Sequence, residues 1–213
     1  ELMWNETYKT MLDSSENYSP LLPNTYTFYV FIESLGSNLN SDFDKLSELI
    51  SEAAEKNLIE DALIAKNERE QKIIWDMRED VSVLAKKSKF DQHFDISLPI
   101  PLIEEEVQIA TKKLKKLPFV EHVFTFGHVA DGNIHFIIGK NNNSVENTER
   151  INEIIYRNLK KNGGSVSAEH GIGLDKKKYL YTSRSTEEIK LMKTLKQILD
   201  PKNILNPGRV IPD

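Results

Sequence analysis

The feature that most limits what this chain can become is the Asp131-Gly132 pair inside residues 126–135, FGHVADGNIH. Asp-Gly flanked by strand-like residues is a strong local signal for a two-residue hairpin turn, and a hairpin joins antiparallel strands. With those two residues as the loop, Ala130 faces Asn133, Val129 faces Ile134 and His128 faces His135. Direct cross-strand partners hold their Cβ atoms about 5 Å apart, a separation that suits two imidazoles converging on one metal ion. Residues 167–173, SAEHGIG, then offer Glu169 as a third, carboxylate ligand and His170 as a further imidazole. The plainer alternative is a polar hairpin with two solvent-facing histidines. Gly127 and Gly132 weigh against it, because they leave room for a close approach. Spacing alone leaves the ion and the reaction open.

Composition narrows the classes. The 213 residues suffice for one large domain or two small ones. Charged residues make up 29% and hydrophobic ones 39%, as in a soluble globular protein. A net charge of -5 argues against a nucleic-acid role, since phosphate binding needs a basic surface. No apolar run is long enough to span a bilayer, and no signal-peptide pattern is present. Without cysteine there can be no disulfide, and any metal must take nitrogen and oxygen ligands. The opening Glu-Leu-Met-Trp, without an initiator Met, reads as part of something longer.

Periodicity and punctuation predict the elements in order. Residues 1–14 read as a helix and 17–24, with Pro20 and Pro23, as a loop. Residues 25–34, TYTFYVFIES, read as a central strand. Asn38 and Ser41 offer N-caps for a helix to Lys56. Residues 59–65 read as a second strand, and 67–87 as a helix placing Trp75, Arg78 and Ser82 on one face. A strand over 90–99, a helix over 102–117 with a solvated basic end, and hairpin strands over 120–127 and 134–140 follow. The remainder is a helix over 148–161 stopped by Gly163-Gly164, a short helical stretch over 175–181, and a helix over 185–199. That last helix opens with a capping box, Ser185 with Glu188. With no Rossmann fingerprint, this order predicts an α+β fold, an antiparallel sheet with helices on one face.

Three stretches carry a resemblance: GHVADGNIH, GSVSAEHGIGLDKKKYL and the tail LDPKNILNPGRVI. Together they resemble the C-terminal (cap) domain of FAD-linked oxidases of the vanillyl-alcohol-oxidase type. The nearest branch is the D-2-hydroxyacid dehydrogenases: D-lactate dehydrogenase, the D-subunit of glycolate oxidase and D-2-hydroxyglutarate dehydrogenase. The resemblance implies a ferredoxin-like α+β cap and substrate domain over 1–183. It also implies a small helical segment over 184–213 that packs back towards an N-terminal FAD-binding domain. Partners implied are a small 2-hydroxy acid, that FAD domain and an electron acceptor. The implied location is cytoplasmic or peripheral on the cytoplasmic side of a membrane, and mitochondrial in a eukaryote.

Residue roles follow from the same resemblance. WDMRE matches a motif whose arginine, here Arg78, holds the substrate carboxylate, which a planar guanidinium fits with two prongs. Ser82 stands where a hydroxyl helps hold the same group. His128, His135 and Glu169 would hold a divalent metal, zinc first among N/O-ligated candidates, with manganese, cobalt or iron as others. His170 would take the hydroxyl proton as general base, and hydride would pass to FAD. Three positions depart from the pattern: Ala130 replaces a usual glycine, Ile137 an asparagine, and His93 a lysine that meets a distal carboxylate. His93 remains a candidate substrate contact when protonated. The last two departures leave D-lactate at least as well supported as D-2-hydroxyglutarate. A stand-alone metal-binding regulatory module and a metal-dependent hydrolase are the competing readings, the second lowered by the lack of an HExxH helix.

Overall fold

Leu2-Met3-Trp4 departs from the helix expected over residues 1–14. In the computed structural model, which describes residues 1–14 and 21–212, Leu2–Trp4 is a strand (β1) and the helix (α1) begins only at Asn5–Ser14. β1 pairs antiparallel with Phe28–Val30 (β2), so the strand expected over 25–34 shortens to three residues. Backbone bonds from Asn5 N–H to the Thr27 carbonyl (3.1 Å) and from Phe31 N–H to the Glu1 carbonyl (2.9 Å) prolong the ladder. Two adjacent apolar residues fit either periodicity, and here the partner strand decides. Of the loop expected over 17–24, residues 17–20 lie outside the described residues.

The chain divides into two units, Glu1–Leu84 and Ala85–Asp213. In the first, Met3, Tyr8 and Met11 are buried, and the Tyr8 ring stacks on Tyr29 with centroids 3.6 Å apart. Asn38 caps Leu39–Glu55 (α2), its side chain accepting from Ser41 N–H at 3.2 Å. Asn57 ends that helix in the left-handed region (φ 55), with Leu58 N–H bonding back to the Ala53 carbonyl. No strand forms over 59–65: the segment is irregular, and Leu58 and Leu63 are exposed. A strand needs a ladder partner, and none is formed there among the described residues.

The helix expected over 67–87 is broken. Asn67 caps Glu68–Glu79 (α3), which stops at Asp80, and Ser82–Ala85 (α4) starts afresh. Ser82 Oγ donates to Asp80 Oδ1 at 3.0 Å, a local side-chain bond of the kind that competes with helix continuation. Trp75 and Arg78 therefore share α3, while Ser82 is not on that face.

The second unit carries the principal sheet. Phe90–Ser97 (β3), Ile103–Leu114 (α5), Val120–Gly127 (β4) and Asn133–Lys140 (β5) follow in order. β5 pairs antiparallel with both β3 and β4, so it lies between two parallel strands joined by a helix, a split β-α-β unit. Register sorts the side chains. Phe94, Ile96, Val123, Ile134, Phe136 and Ile138 occupy one face and are buried. Against it lie α5, burying Ile103, Val107, Ala110 and Leu114 at helical spacing, and Val145–Tyr156 (α6), burying Ile151 and Ile155. Ile96, Phe136, Val107, Ala110 and Ile155 line one crevice between sheet and helices. The opposite face carries Asp95, His135 and Phe126 in one cross-strand row and His93, Ile137 and Phe124 in the next.

The rest of the unit is helical and irregular. Ser144 caps α6, and the helix expected to run on to Lys161 is interrupted before Leu159–Asn162 (α7). Residues 177–182 form a 3-10 turn, and Thr186–Leu199 (α8) opens with the expected Ser185–Glu188 capping box. The chain is thus α+β, with antiparallel strands and with helices on one face of the main sheet. Among the described residues no helix is long and apolar enough to cross a membrane.

Candidate functional site

His128 and His135 come together by a longer turn than the dipeptide signal predicts. His135 faces Phe126, not His128. The connection is a four-residue loop, closed by Asn133 N–H donating to the His128 carbonyl at 3.2 Å. Val129–Asp131 form a 3-10 turn, and Gly132 ends it in the left-handed region (φ 75). Longer hairpin loops are built this way, around a helical turn and one left-handed residue. The dipeptide therefore marks the second half of the loop rather than its whole. His128, just past the end of β4, still brings its ring within 5.7 Å of the His135 ring, centroid to centroid.

Gly132 is required for two reasons. Its φ disfavours any residue with a Cβ by about 1–2 kcal/mol, and a Cβ there would lie 2.3 Å from the Leu98 carbonyl oxygen. That contact is fixed, since Leu98 N–H donates to the Gly132 carbonyl at 2.8 Å. Gly132→Ala is expected to lower the denaturation midpoint by the equivalent of about 2 kcal/mol or more. It should also displace the His128 imidazole resonances in an NMR spectrum. Unchanged stability with unchanged His128 signals would refute this account of the loop.

Residues 165–170 are brought to the histidines along the edge of β3. Ser97 and Ser165 exchange backbone hydrogen bonds, each 3.0 Å. Beyond them the chain wraps around Asp95, which is fully buried. Asp95 Oδ2 accepts from the N–H groups of Glu169 (2.7 Å) and His170 (2.6 Å) and from Ser167 Oγ (2.9 Å). The Ala168 N–H is shared between the Asp95 carbonyl (2.8 Å) and Oδ2 (3.1 Å). The Lys176 ammonium bonds Oδ1 and also donates to Ser167 Oγ at 3.0 Å. Burial by itself would raise the Asp95 pKa; the Lys176 ammonium and the His170 and Glu169 N–H groups outweigh it and hold the carboxyl below its ordinary range. Gly171 (φ 79) and Gly173 (φ 55) then turn the chain away.

The outcome is a cluster drawn from three segments. Glu169 Oε1 lies 3.3 Å from His128 Nε2, and Oε2 lies 3.6 Å from His135 Nε2. One ligand atom from each of the three residues falls within 4.8 Å of the others. His135 is buried, whereas Glu169 is half exposed, so the cluster has a closed floor and an open side. His170, also half exposed, stacks on His135 with ring centroids 5.5 Å apart and planes 21° apart. Its Nδ1 lies 3.7 Å from Asp95 Oδ1, too far for a hydrogen bond. Such an arrangement offers a cation two imidazole nitrogens and a carboxylate, with a third, half-exposed imidazole stacked beside them.

The remaining sequence-predicted residues sit as follows. His93 is on β3, in the row next to Asp95 and on the same face, opposite Ile137; its Nε2 is 2.8 Å from Asp91 Oδ2. Arg78 and Ser82 belong to the first unit. Arg78 is largely buried there and pairs with Glu1 at 2.8 Å. Sequence reasoning overlooked Asp95. The available signal was a carboxylate set between two apolar residues, Phe94-Asp95-Ile96. It also overlooked Asn133, whose carboxamide is buried with neither polar atom hydrogen-bonded among the described residues.

Comparison with known proteins identifies the family. The family model for FAD linked oxidases, C-terminal domain, matches residues 1–210. A protein of Schizosaccharomyces pombe provisionally named mitochondrial D-lactate dehydrogenase is 34% identical over 220 residues, 99% of this chain and 42% of its own. The mitochondrial D-2-hydroxyglutarate dehydrogenase of Danio rerio is 36% identical over 186 residues, 87% of this chain and 34% of its own. That of Arabidopsis thaliana is 31% identical over 212 residues, 100% of this chain and 37% of its own. The chain thus spans well under half the length of these relatives. With the match running almost from end to end, this chain belongs to the family of FAD-linked oxidase C-terminal domains.

Proposed function

We propose that this chain is the cap and substrate portion of an FAD-dependent dehydrogenase that oxidises a D-2-hydroxy acid to the 2-oxo acid. D-lactate and D-2-hydroxyglutarate are the favoured substrates, because relatives named for both reactions match over 87% or more of the chain. The observation that carries the reading is the convergence of His128, His135 and Glu169 within 4.8 Å, next to His170.

The donor set fits a divalent cation. Two imidazole nitrogens and one carboxylate, with room on the open side, match zinc sites that keep a position for substrate. His128, His135 and Glu169 would hold the ion, which when bound supplies Lewis acidity towards oxygen. FAD, held by a domain outside this chain, supplies the hydride acceptor. The chain's own residues do the rest. By the family resemblance Arg78, paired with Glu1 in the first unit, would exchange that partner for the substrate carboxylate, with Ser82 adding a hydroxyl. His170 accepts the proton of the substrate hydroxyl and, being half exposed, can release it again to solvent on the open side. His93, protonated, meets a second carboxylate if the substrate carries one. The tail after α8 packs towards the flavin domain. The relatives named as mitochondrial support a mitochondrial location if the source is eukaryotic.

A panel of D- and L-2-hydroxy acids, assayed on the complete protein with a dye acceptor before and after chelation, tests this. Turnover should be confined to D-acids, fall on chelation and return with Zn²⁺. Turnover that survives full metal removal would defeat the cation role. Hydrolytic activity in place of dye reduction would favour the hydrolase reading.

A further inference from the structure

We propose that Asp95 is the positioning residue of this site. One buried carboxylate gathers the N–H groups of Ala168, Glu169 and His170, with Lys176 as its counter-ion, and so sets where the Glu169 carboxylate and the His170 ring stand. The inference rests on the cation-site reading above and names what assembles that site.

The need for such a residue is physical. His128 and His135 are fixed by a hairpin ladder, but residues 167–173 form neither helix nor strand. The Glu169 side chain is 49% exposed, so packing does little to orient it. Its direction is set by its backbone, and that backbone is fixed by hydrogen bonds to Asp95 at 2.7 Å from Glu169 and 2.6 Å from His170. Successive N–H groups converging on one anion form a nest, a geometry that specifies backbone conformation without regular structure. Asp95 pairs with His135 across β3 and β5, so the anion and one histidine share a cross-strand row. The nest therefore measures the position of Glu169 against the strand that bears its fellow ligand. Ser167 completes it by accepting from Lys176 and donating to Asp95. A purely structural carboxylate would tie the segment down with no consequence for the direction of Glu169.

The test is cation binding by the complete protein, measured well below its melting temperature. Asp95→Asn keeps the side chain's volume but replaces an accepting oxygen with a donor. It should weaken Zn²⁺ binding by about 10–100-fold in isothermal titration, the range typical of residues that orient metal ligands. It should also change the visible d–d spectrum of bound Co²⁺, which reports ligand geometry rather than stability. Ser167→Ala removes the hydroxyl that links Asp95 and Lys176 and leaves the anion in place. Expected there are a several-fold weaker affinity and a smaller spectral change, with circular dichroism unaltered. This second variant decides the matter if Asp95→Asn does not fold. Glu169→Ala separates the two ideas. If it binds Zn²⁺ as tightly as the unaltered protein, the cation-site reading fails. If it loses binding while a folded Asp95→Asn, or Ser167→Ala when Asp95→Asn does not fold, keeps normal affinity and the normal Co²⁺ spectrum, the site stands and the positioning role of Asp95 is overturned.

Discussion

Alanine at Glu169 is expected to lower turnover of the complete protein by about 10³-fold or more, with loss of the bound cation. The size follows from the chemistry assigned to the ion. Lewis-acid stabilisation of a developing charge is worth several kcal/mol, and each 1.36 kcal/mol is a factor of ten in rate. Removing one of the three proposed ligands leaves two imidazoles, whose rings stand 5.7 Å apart and cannot replace the carboxylate whose oxygens lie 3.3 Å and 3.6 Å from their Nε2 atoms. His170→Ala should differ in kind. The cation stays, because His170 is not among the three converging ligands, and kcat falls by about 10²–10⁴-fold, the usual worth of a general base. Metal analysis beside steady-state kinetics distinguishes the two variants. A Glu169→Ala protein that retains stoichiometric metal and more than a tenth of its turnover would refute the ligand assignment.

Phe136→Ala should cost about 3–5 kcal/mol of folding free energy. Phe136 is fully buried on β5, the strand paired on both sides, and it lies in the crevice between sheet and helices with Val107 and Ile155. A domain's whole stability is about 5–15 kcal/mol, so the loss is severe. Urea denaturation followed by circular dichroism would show a large fall in midpoint with little change in slope. The fraction that stays folded should bind Zn²⁺ nearly normally, since residue 136 points away from the face that carries His135. A loss below about 1 kcal/mol, the average for an arbitrary substitution, would mean that the core is centred elsewhere.

The candidate site was legible where chemistry is local in sequence. GHVADGNIH and SAEHGIG each bring their ligands within a few residues, and the fold closes the gap between the two stretches. Caps were legible for the same reason: Asn38 and Ser185 bond N–H groups three residues on. What escaped notice depends on partners far along the chain. Leu2–Trp4 is a strand because of Phe28–Val30, and residues 59–65 are not a strand because no neighbour pairs with them. Asp95 has contacts 72 to 81 residues away, so nothing near it in sequence discloses why a carboxylate stands in a buried strand. The loop after β4 escaped because Asp-Gly serves more than one turn type, and the pairing of His135 with Phe126 shows which one is formed.

The order in which the strands are laid down has a consequence for how the protein is born. β5 is the last of its three strands to be synthesised, yet it takes the middle place. While a ribosome is still adding residues 128–140, β3 and β4 each present an unpaired edge towards an empty slot. Open edges of that kind invite pairing with other chains, and contacts between distant residues form slowly because a long loop must first close. His135 arrives with the strand that fills the slot, and Glu169 follows some thirty residues later. Nascent chains therefore pass through their most aggregation-prone stage before the proposed cation site is complete.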